Sequence, residues 1–321
     1  MKVKSLALPL AYLIALTMFT GPALAQDDRE EVPDQSLQNR LHNHPPQARE
    51  SNPDAATSKT QQQNSEAIIA EHSSCAYTFS SGSGANYLQF CVTVNGNIVK
   101  FNSPEGVEQI AQGAYGEGYG ICDFNRSTAY YDFADDGNSG NWDAPVLISQ
   151  NATSVKIART TSDGVWTLTQ TISMVAGANP YAKILMALKN NAAPVCCGGE
   201  GAYLMRWADA DPDHADPAHG NDGFLEDFDR TLGSAWGYIP FADAASGNDY
   251  YGLMIQNVGN ASPPSAGVLG NGVAESSDGA PNVCAPQNGQ ASEVDGSIGY
   301  LYLFVLNKGQ TLTVTDRYMS F

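Results

Sequence analysis

The segment from Ser154 to Val175, SVKIARTTSDGVWTLTQTISMV, limits what this chain can fold into more than any other stretch. Apolar and polar residues alternate on both sides of Ser162-Asp163-Gly164. Side chains on a strand alternate between its two faces, so a period of two marks a half-buried strand. Two such runs joined by a Gly-containing turn read as a hairpin. Val155, Ile157, Trp166, Leu168 and Ile172 are expected to face a core. Lys156, Arg159, Thr167, Thr169 and Gln170 are expected to face outward or to line a second surface.

The same grammar recurs along the chain. YLQFCVTV and IVKF flank Asn95-Gly96-Asn97, AKILMALKN supplies a further strand, and YLYLFVLNKGQTLTVTDRYMSF reads as a last hairpin through Asn307-Lys308-Gly309. Gly, Asn, Asp and Pro punctuate the sequence about every ten residues, and no window sustains a helical period. The expected architecture is all-β, an antiparallel β-sandwich formed as one domain by residues 75–321.

The first 74 residues have another character. Lys2 and Lys4 precede the apolar stretch LALPLAYLIALTMF, which ends in Ala23-Leu24-Ala25. This order is that of a secretory signal peptide over residues 1–25, and the apolar run is shorter than the roughly 20 residues a membrane span needs. Residues 26–74 are rich in Gln, Asn, Asp, Glu, Ser and Pro and poor in aromatic residues. They bury too little apolar surface to offset their conformational entropy, so a disordered tether or pro-segment is expected.

The chain carries 16 Lys and Arg against 34 Asp and Glu. Loss of residues 1–25 removes two lysines and leaves 14 − 34 = −20. Such a charge disfavours nucleic acid and anionic membranes as partners and favours cations. Six cysteines lie beyond the tether: Cys75, Cys91, Cys122, Cys196, Cys197 and Cys284. An even count in an exported chain implies disulfides, whose connectivity spacing alone leaves open; zinc is disfavoured because no CxxC pair is present.

The strongest chemical signal is Asp209, Asp211 and Asp213, followed by Asp216 and Asp222. Alternate carboxylates on a turning loop can converge on calcium, which wants several oxygen ligands. The spacing resembles the opening of a calcium-binding loop. It departs from an EF-hand, because His214 stands where the sharp-turn Gly belongs and Gly220 where the bidentate Glu belongs. His214 and His219 raise a transition-metal alternative in the same loop. DDGNSGNWD, at residues 135–143, offers oxygens as well, but its letters are those of turns, and that reading is preferred.

Serine and cysteine hydrolase motifs, phosphate-binding loops and dinucleotide fingerprints are missing. A carboxylate pair acting on a sugar needs no local motif, and among 34 acids none is singled out, so no catalytic residue is assigned. Aromatic residues crowd the Gly- and Asn-rich stretches, where flat rings stack on sugars. Trp142 and Trp236 are the ligand candidates, whereas Trp166 belongs to the core. The expected function is therefore that of a secreted, periplasmic or cell-surface binding protein without enzymatic activity, holding structural calcium and engaging carbohydrate or a surface partner. A polysaccharide-active enzyme and a purely structural or adhesive protein are the alternatives.

Overall fold

A computed structural model describes residues 74–110, 116–135, 137–193, 199–210, 225–229, 234–240, 250–258, 268–276, 282–285 and 297–321. The expected signal peptide and tether, apart from Ser74, lie outside the described residues, as do Asp211, Asp213, Asp216, Asp222, Cys196 and Cys197. Strands dominate: β1 (Tyr77–Ser81), β2 (Leu88–Val92), β3 (Ile98–Asn102), β4 (Gly116–Asp123), β5 (Thr128–Ala134), β6 (Val146–Gln150), β7 (Ser154–Thr160) and β8 (Trp166–Val175). They continue as β9 (Tyr181–Asn190), β10 (Glu200–Asp209), β11 (Leu225–Asp229), β12 (Ser234–Pro240), β13 (Tyr250–Asn257), β14 (Val268–Ser276), β15 (Ser297–Leu306) and β16 (Thr311–Ser320). One short 3-10 turn, Gly84–Asn86, is the sole helical element among the described residues, so no described helix is long and apolar enough to cross a membrane.

The strands form antiparallel sheets, as the alternation implies. A short sheet has the order β1-β2-β3, a second the order β14-β15-β10-β4-β5, and a long third the order β11-β12-β13-β16-β9-β8-β7-β6. The inner faces of the five- and eight-stranded sheets share one apolar core, with Trp166, Leu168, Ile172, Ile184 and Leu188 from one side and Ile121, Leu204, Tyr302 and Phe304 from the other. Trp166 meets Phe304 edge to face at 5.8 Å. The short sheet adds Phe79, Leu88, Phe90 and Phe101 to the same core. The architecture is a β-sandwich, its layers held by burial worth about 1.5–3 kcal/mol per large apolar side chain.

Two hairpins form where the sequence indicates. β2 pairs β3 around Gly96 (φ 93°), and β7 pairs β8 around Gly164 (φ 74°). The third expected hairpin does not. β15 pairs with β10 and β14 in one sheet, while β16 pairs with β9 and β13 in the other. Asn307-Lys308-Gly309 is thus a connection that carries the chain across the sandwich. Both strands are apolar enough to prefer opposite walls of the core to each other.

Disulfides join Cys75 to Cys91 and Cys122 to Cys284. The first ties the start of the described chain to β2. The second pins Asn282–Ala285 over the outer face of the five-stranded sheet, where Val283 packs on Phe133, Met205, Trp207 and Leu301. Gly120 makes room for it: a Cβ there would lie 2.6 Å from a Val283 methyl. Two disulfides suggest an extracytoplasmic protein.

Candidate functional site

Two assemblies of polar side chains stand out, one inside the sandwich and one on its outer surface. The inner one begins with a row across the five-stranded sheet, in which register places Tyr300, Arg206, Tyr119 and Asp132 side by side on β15, β10, β4 and β5. Two residues before Tyr119, Glu117 points to the same face and pairs with Arg206 at 2.5 Å, both side chains being fully buried. Arg206 also donates to Gln170 Oε1 at 2.6 Å and to the Gly96 carbonyl at 3.2 Å. Glu117 accepts from the Ile98 amide at 2.5 Å and from the Tyr318 hydroxyl at 2.8 Å.

A second pair, Arg159 with Asp132, adjoins the first. Arg159 donates to the Tyr119 hydroxyl at 2.9 Å, which donates onward to the Asn95 carbonyl at 2.8 Å. Asn97 Nδ2 ties the group together through the carbonyls of Glu117 and Asp132, each at 3.0 Å. Nearby, Tyr302 donates to Asp316 at 2.5 Å and accepts from Asn257 at 2.6 Å. The other Asp316 oxygen is buried without a hydrogen bond.

Burial sets the electrostatics here. Loss of water raises Glu117 to about 7 against the opposing pull of Arg206, Ile98 and Tyr318. It likewise raises Asp316 to about 7 despite the bond from Tyr302. Burial by itself would lower Arg206, but Glu117 and Tyr318 together more than offset this, and its guanidinium is held above the ordinary range. Tyr318 and Tyr302 are both pushed upward by burial. Acids near neutrality beside a fixed cation resemble acid–base machinery. Yet Glu117, Arg206, Asp316 and Tyr318 each show 0% exposure, so no substrate reaches them in this structure.

Arg159 and Gln170 correct an expectation. Both are buried, at 6% and 2%, because they share the inward parity of Val155 and Ile157 and of Trp166 and Leu168. Lys156, Thr167 and Thr169 do face outward. The inner set was missed because its members, such as Arg206 in YLMRWA and Asp316 in TLTVTDRYMS, are far apart in sequence and no local motif joins them. The available signal was parity: Asp316 and Tyr318 continue the inward series of Leu312 and Val314.

The outer assembly lies on the opposite face of the long sheet. Cross-strand register places it in four rows: Arg317, Lys183, Ser173 and Ser154; Thr315, Leu185, Thr171 and Lys156; Thr313, Ala187, Thr169 and Ala158; and Thr311, Lys189, Thr167 and Thr160. Of these sixteen positions on β16, β9, β8 and β7, none is acidic, and none is buried. Beyond Arg317 the face turns apolar, where Trp236, Met254 and Met319 pack together with Tyr181 and Phe321. Arg317 bridges the two parts, bonded to Gln256 Oε1 at 2.8 Å and lying 5.4 Å over the Tyr181 ring.

Both candidate tryptophans are buried, which corrects the expectation of free platforms. Trp142 is 8% exposed, with Tyr119 and Tyr130 edge-on at 5.5 and 6.2 Å and Arg159 over its ring at 5.2 Å. Trp236 is 5% exposed within the apolar end of the outer face. Asp209 closes β10, paired in register with Ser297, and the acidic loop continues from it beyond the described residues. Among the described residues no group of three or more His, Cys, Asp or Glu side chains stands ready for a metal. The DDGNSGNWD stretch behaves as a turn: Asn138 accepts from the Gly140 amide at 2.8 Å, and Asn141 donates to the Ala129 carbonyl at 3.0 Å.

No family model matches the sequence, and a search of curated proteins finds no relative. Among solved structures the chain is similar to the heparan sulfate lyase HepC of Pedobacter heparinus, with a TM-score of 0.39 and 10% identity over 76% of this chain and 35% of that one. A mutant of the same lyase gives a TM-score of 0.40 at 10% identity, with the same shares covered. A putative aldose 1-epimerase from Escherichia coli K12 gives 0.37 at 9% identity over 76% of this chain and 99% of that one. The chain spans about a third of the length of the lyases. Likenesses this distant carry no argument about function.

Proposed function

We propose that this is an exported, non-enzymatic β-sandwich protein that binds carbohydrate through the outer face of its long sheet. The observation that carries the reading is the rows of hydroxyl side chains on that face, bordered by the partly exposed ring of Tyr181. Sugars present hydroxyl groups and apolar C–H faces together, and a surface offering hydroxyls beside aromatic carbon is complementary to both. The interior acids support the non-enzymatic half of the reading, because they are buried, and Glu117 and Asp132 are also held in ion pairs.

A structural calcium at the loop opening with Asp209, Asp211 and Asp213 belongs to the same reading and rests on the spacing of those aspartates. Native gel electrophoresis through a panel of immobilised polysaccharides tests carbohydrate binding, with retardation expected and unchanged mobility in every polymer refuting it. Calorimetric titration with calcium, together with melting in chelator, tests the metal. Amino-terminal sequencing of the exported protein tests processing, and Gln26 is the expected first residue.

A second reading, a polysaccharide-active enzyme, is favoured by the position of Glu117 and Asp316 near neutrality around Arg206. It requires an opening in the sandwich. Release of sugar ends from a polysaccharide, lost in Glu117→Gln, would establish it.

A further inference from the structure

We infer that the outer face of the long sheet selects acidic polysaccharide, a glycan carrying carboxylate or sulfate groups; this rests on the carbohydrate reading above. The chain as a whole has about twice as many acids as bases. On the sixteen outward positions of β7, β8, β9 and β16 that ratio is reversed: Lys156, Lys183, Lys189 and Arg317 are present and no acid is.

The four cations are uncommitted in a way that three other described arginines are not. Arg126, Arg159 and Arg206 each pair with a carboxylate. Among the described residues none of the four outer cations does, and Arg317 is held only by the neutral Gln256 and the Tyr181 ring. An unpaired positive field on a strongly acidic protein attracts anions locally, because charges farther off than a screening length of about 8 Å contribute little at physiological ionic strength.

Spacing and surroundings narrow the ligand. Lys183 and Lys189 are six residues apart on one strand, about 20 Å at the usual rise, and Lys156 lies two strands away from β9, about 10 Å. Charges dispersed in this way suit an extended polymer better than a compact anion. The hydroxyls of Thr169 and Thr171 lie on the strand between them and offer donors and acceptors to a sugar chain. Duplex nucleic acid, with one charge per roughly 1.7 Å of axis, is far more densely charged than cations about 10–20 Å apart can match.

The test is affinity electrophoresis of the full chain with polymer pairs that share a backbone: polygalacturonate against its methyl ester, and dextran sulfate against dextran. Retardation by at least one charged member and not by its neutral partner is expected, weakening as salt is raised. Lys156→Gln/Lys183→Gln, with melting temperature unchanged, should weaken it about two- to thirtyfold, since each exposed ion contact contributes about 0.2–1 kcal/mol.

Equal retardation by both members of a pair, or by neutral polymers alone, overturns the charge selection and leaves carbohydrate binding standing. Retardation by none of the four, with none on a wider panel, overturns both. Stronger retention of duplex DNA than of either charged glycan overturns the choice of polymer. A doubled mass in solution that returns to monomer in Lys156→Gln/Lys183→Gln shows that a second acidic copy occupies the face, and overturns the proposal as well.

Discussion

Replacing Arg206 by Met tests whether the interior ion pair holds the two sheets in register. The guanidinium is fully buried, 2.5 Å from Glu117, and satisfies Gln170 Oε1 and the Gly96 carbonyl as well. Methionine fills much of the volume but leaves Glu117 with only the Ile98 amide and the Tyr318 hydroxyl. Removing one partner of a buried pair costs about 3–5 kcal/mol. For a domain of this size each kcal/mol lowers the melting temperature by about 2–4 °C, so a fall of about 6–20 °C is expected at pH 7.

The loss depends on pH. Burial raises Glu117 in the folded chain to about 7, above the 4.5 of the free side chain. The native state therefore holds this proton more tightly than the unfolded chain does. Its stabilising share is complete below about 4.5 and is lost as pH rises through 7, with a slope of at most about 1.4 kcal/mol per unit. At pH 5 the carboxyl is neutral and the Arg206→Met penalty shrinks. In Glu117→Gln the share of this pH dependence due to Glu117 disappears, and that of Asp316, also raised to about 7, remains. Thermal melting followed by near-ultraviolet circular dichroism at pH 5 and 7 measures all three proteins. A fall of less than about 3 °C at pH 7, or an equal fall at both pH values, would refute the reasoning.

Gly118→Ala should be more damaging than most glycine substitutions, because its Cβ would sit 1.8 Å from the Asp132 carbonyl oxygen, which is backbone and cannot swing aside. A loss of about 3 kcal/mol or more is expected, read as a lower denaturant midpoint. Cys122→Ser/Cys284→Ser opens a link between residues 162 positions apart and frees the segment over Trp207, costing about 2–5 kcal/mol and raising binding of a hydrophobic dye. An unchanged midpoint in either variant contradicts the packing described for these segments.

The sequence by itself determined the all-β character, the strands of the hairpins at Gly96 and Gly164 and the inward face of their apolar residues. Period-two alternation states this locally, so Trp166, Leu168 and Ile172 on β8 and the turns at Gly96 and Gly164 were legible without coordinates. Sheet membership was decided only by the tertiary structure. β15 and β16 are neighbours in sequence and look like a hairpin, yet they line opposite sheets, because pairing depends on distant partners, such as Tyr203 for Leu303 and Ile184 for Asp316.

Neither candidate site could be read locally, for the same reason. Glu117, Asp132, Arg159, Arg206 and Asp316 come from five strands, and no local motif joins them. Likewise Lys156, Lys183, Lys189 and Arg317 look like ordinary surface cations until the register of β7, β8, β9 and β16 gathers them on one acid-free face. The alternation of a strand fixes which way a charge points, and only the pairing of distant strands decides what it stands beside.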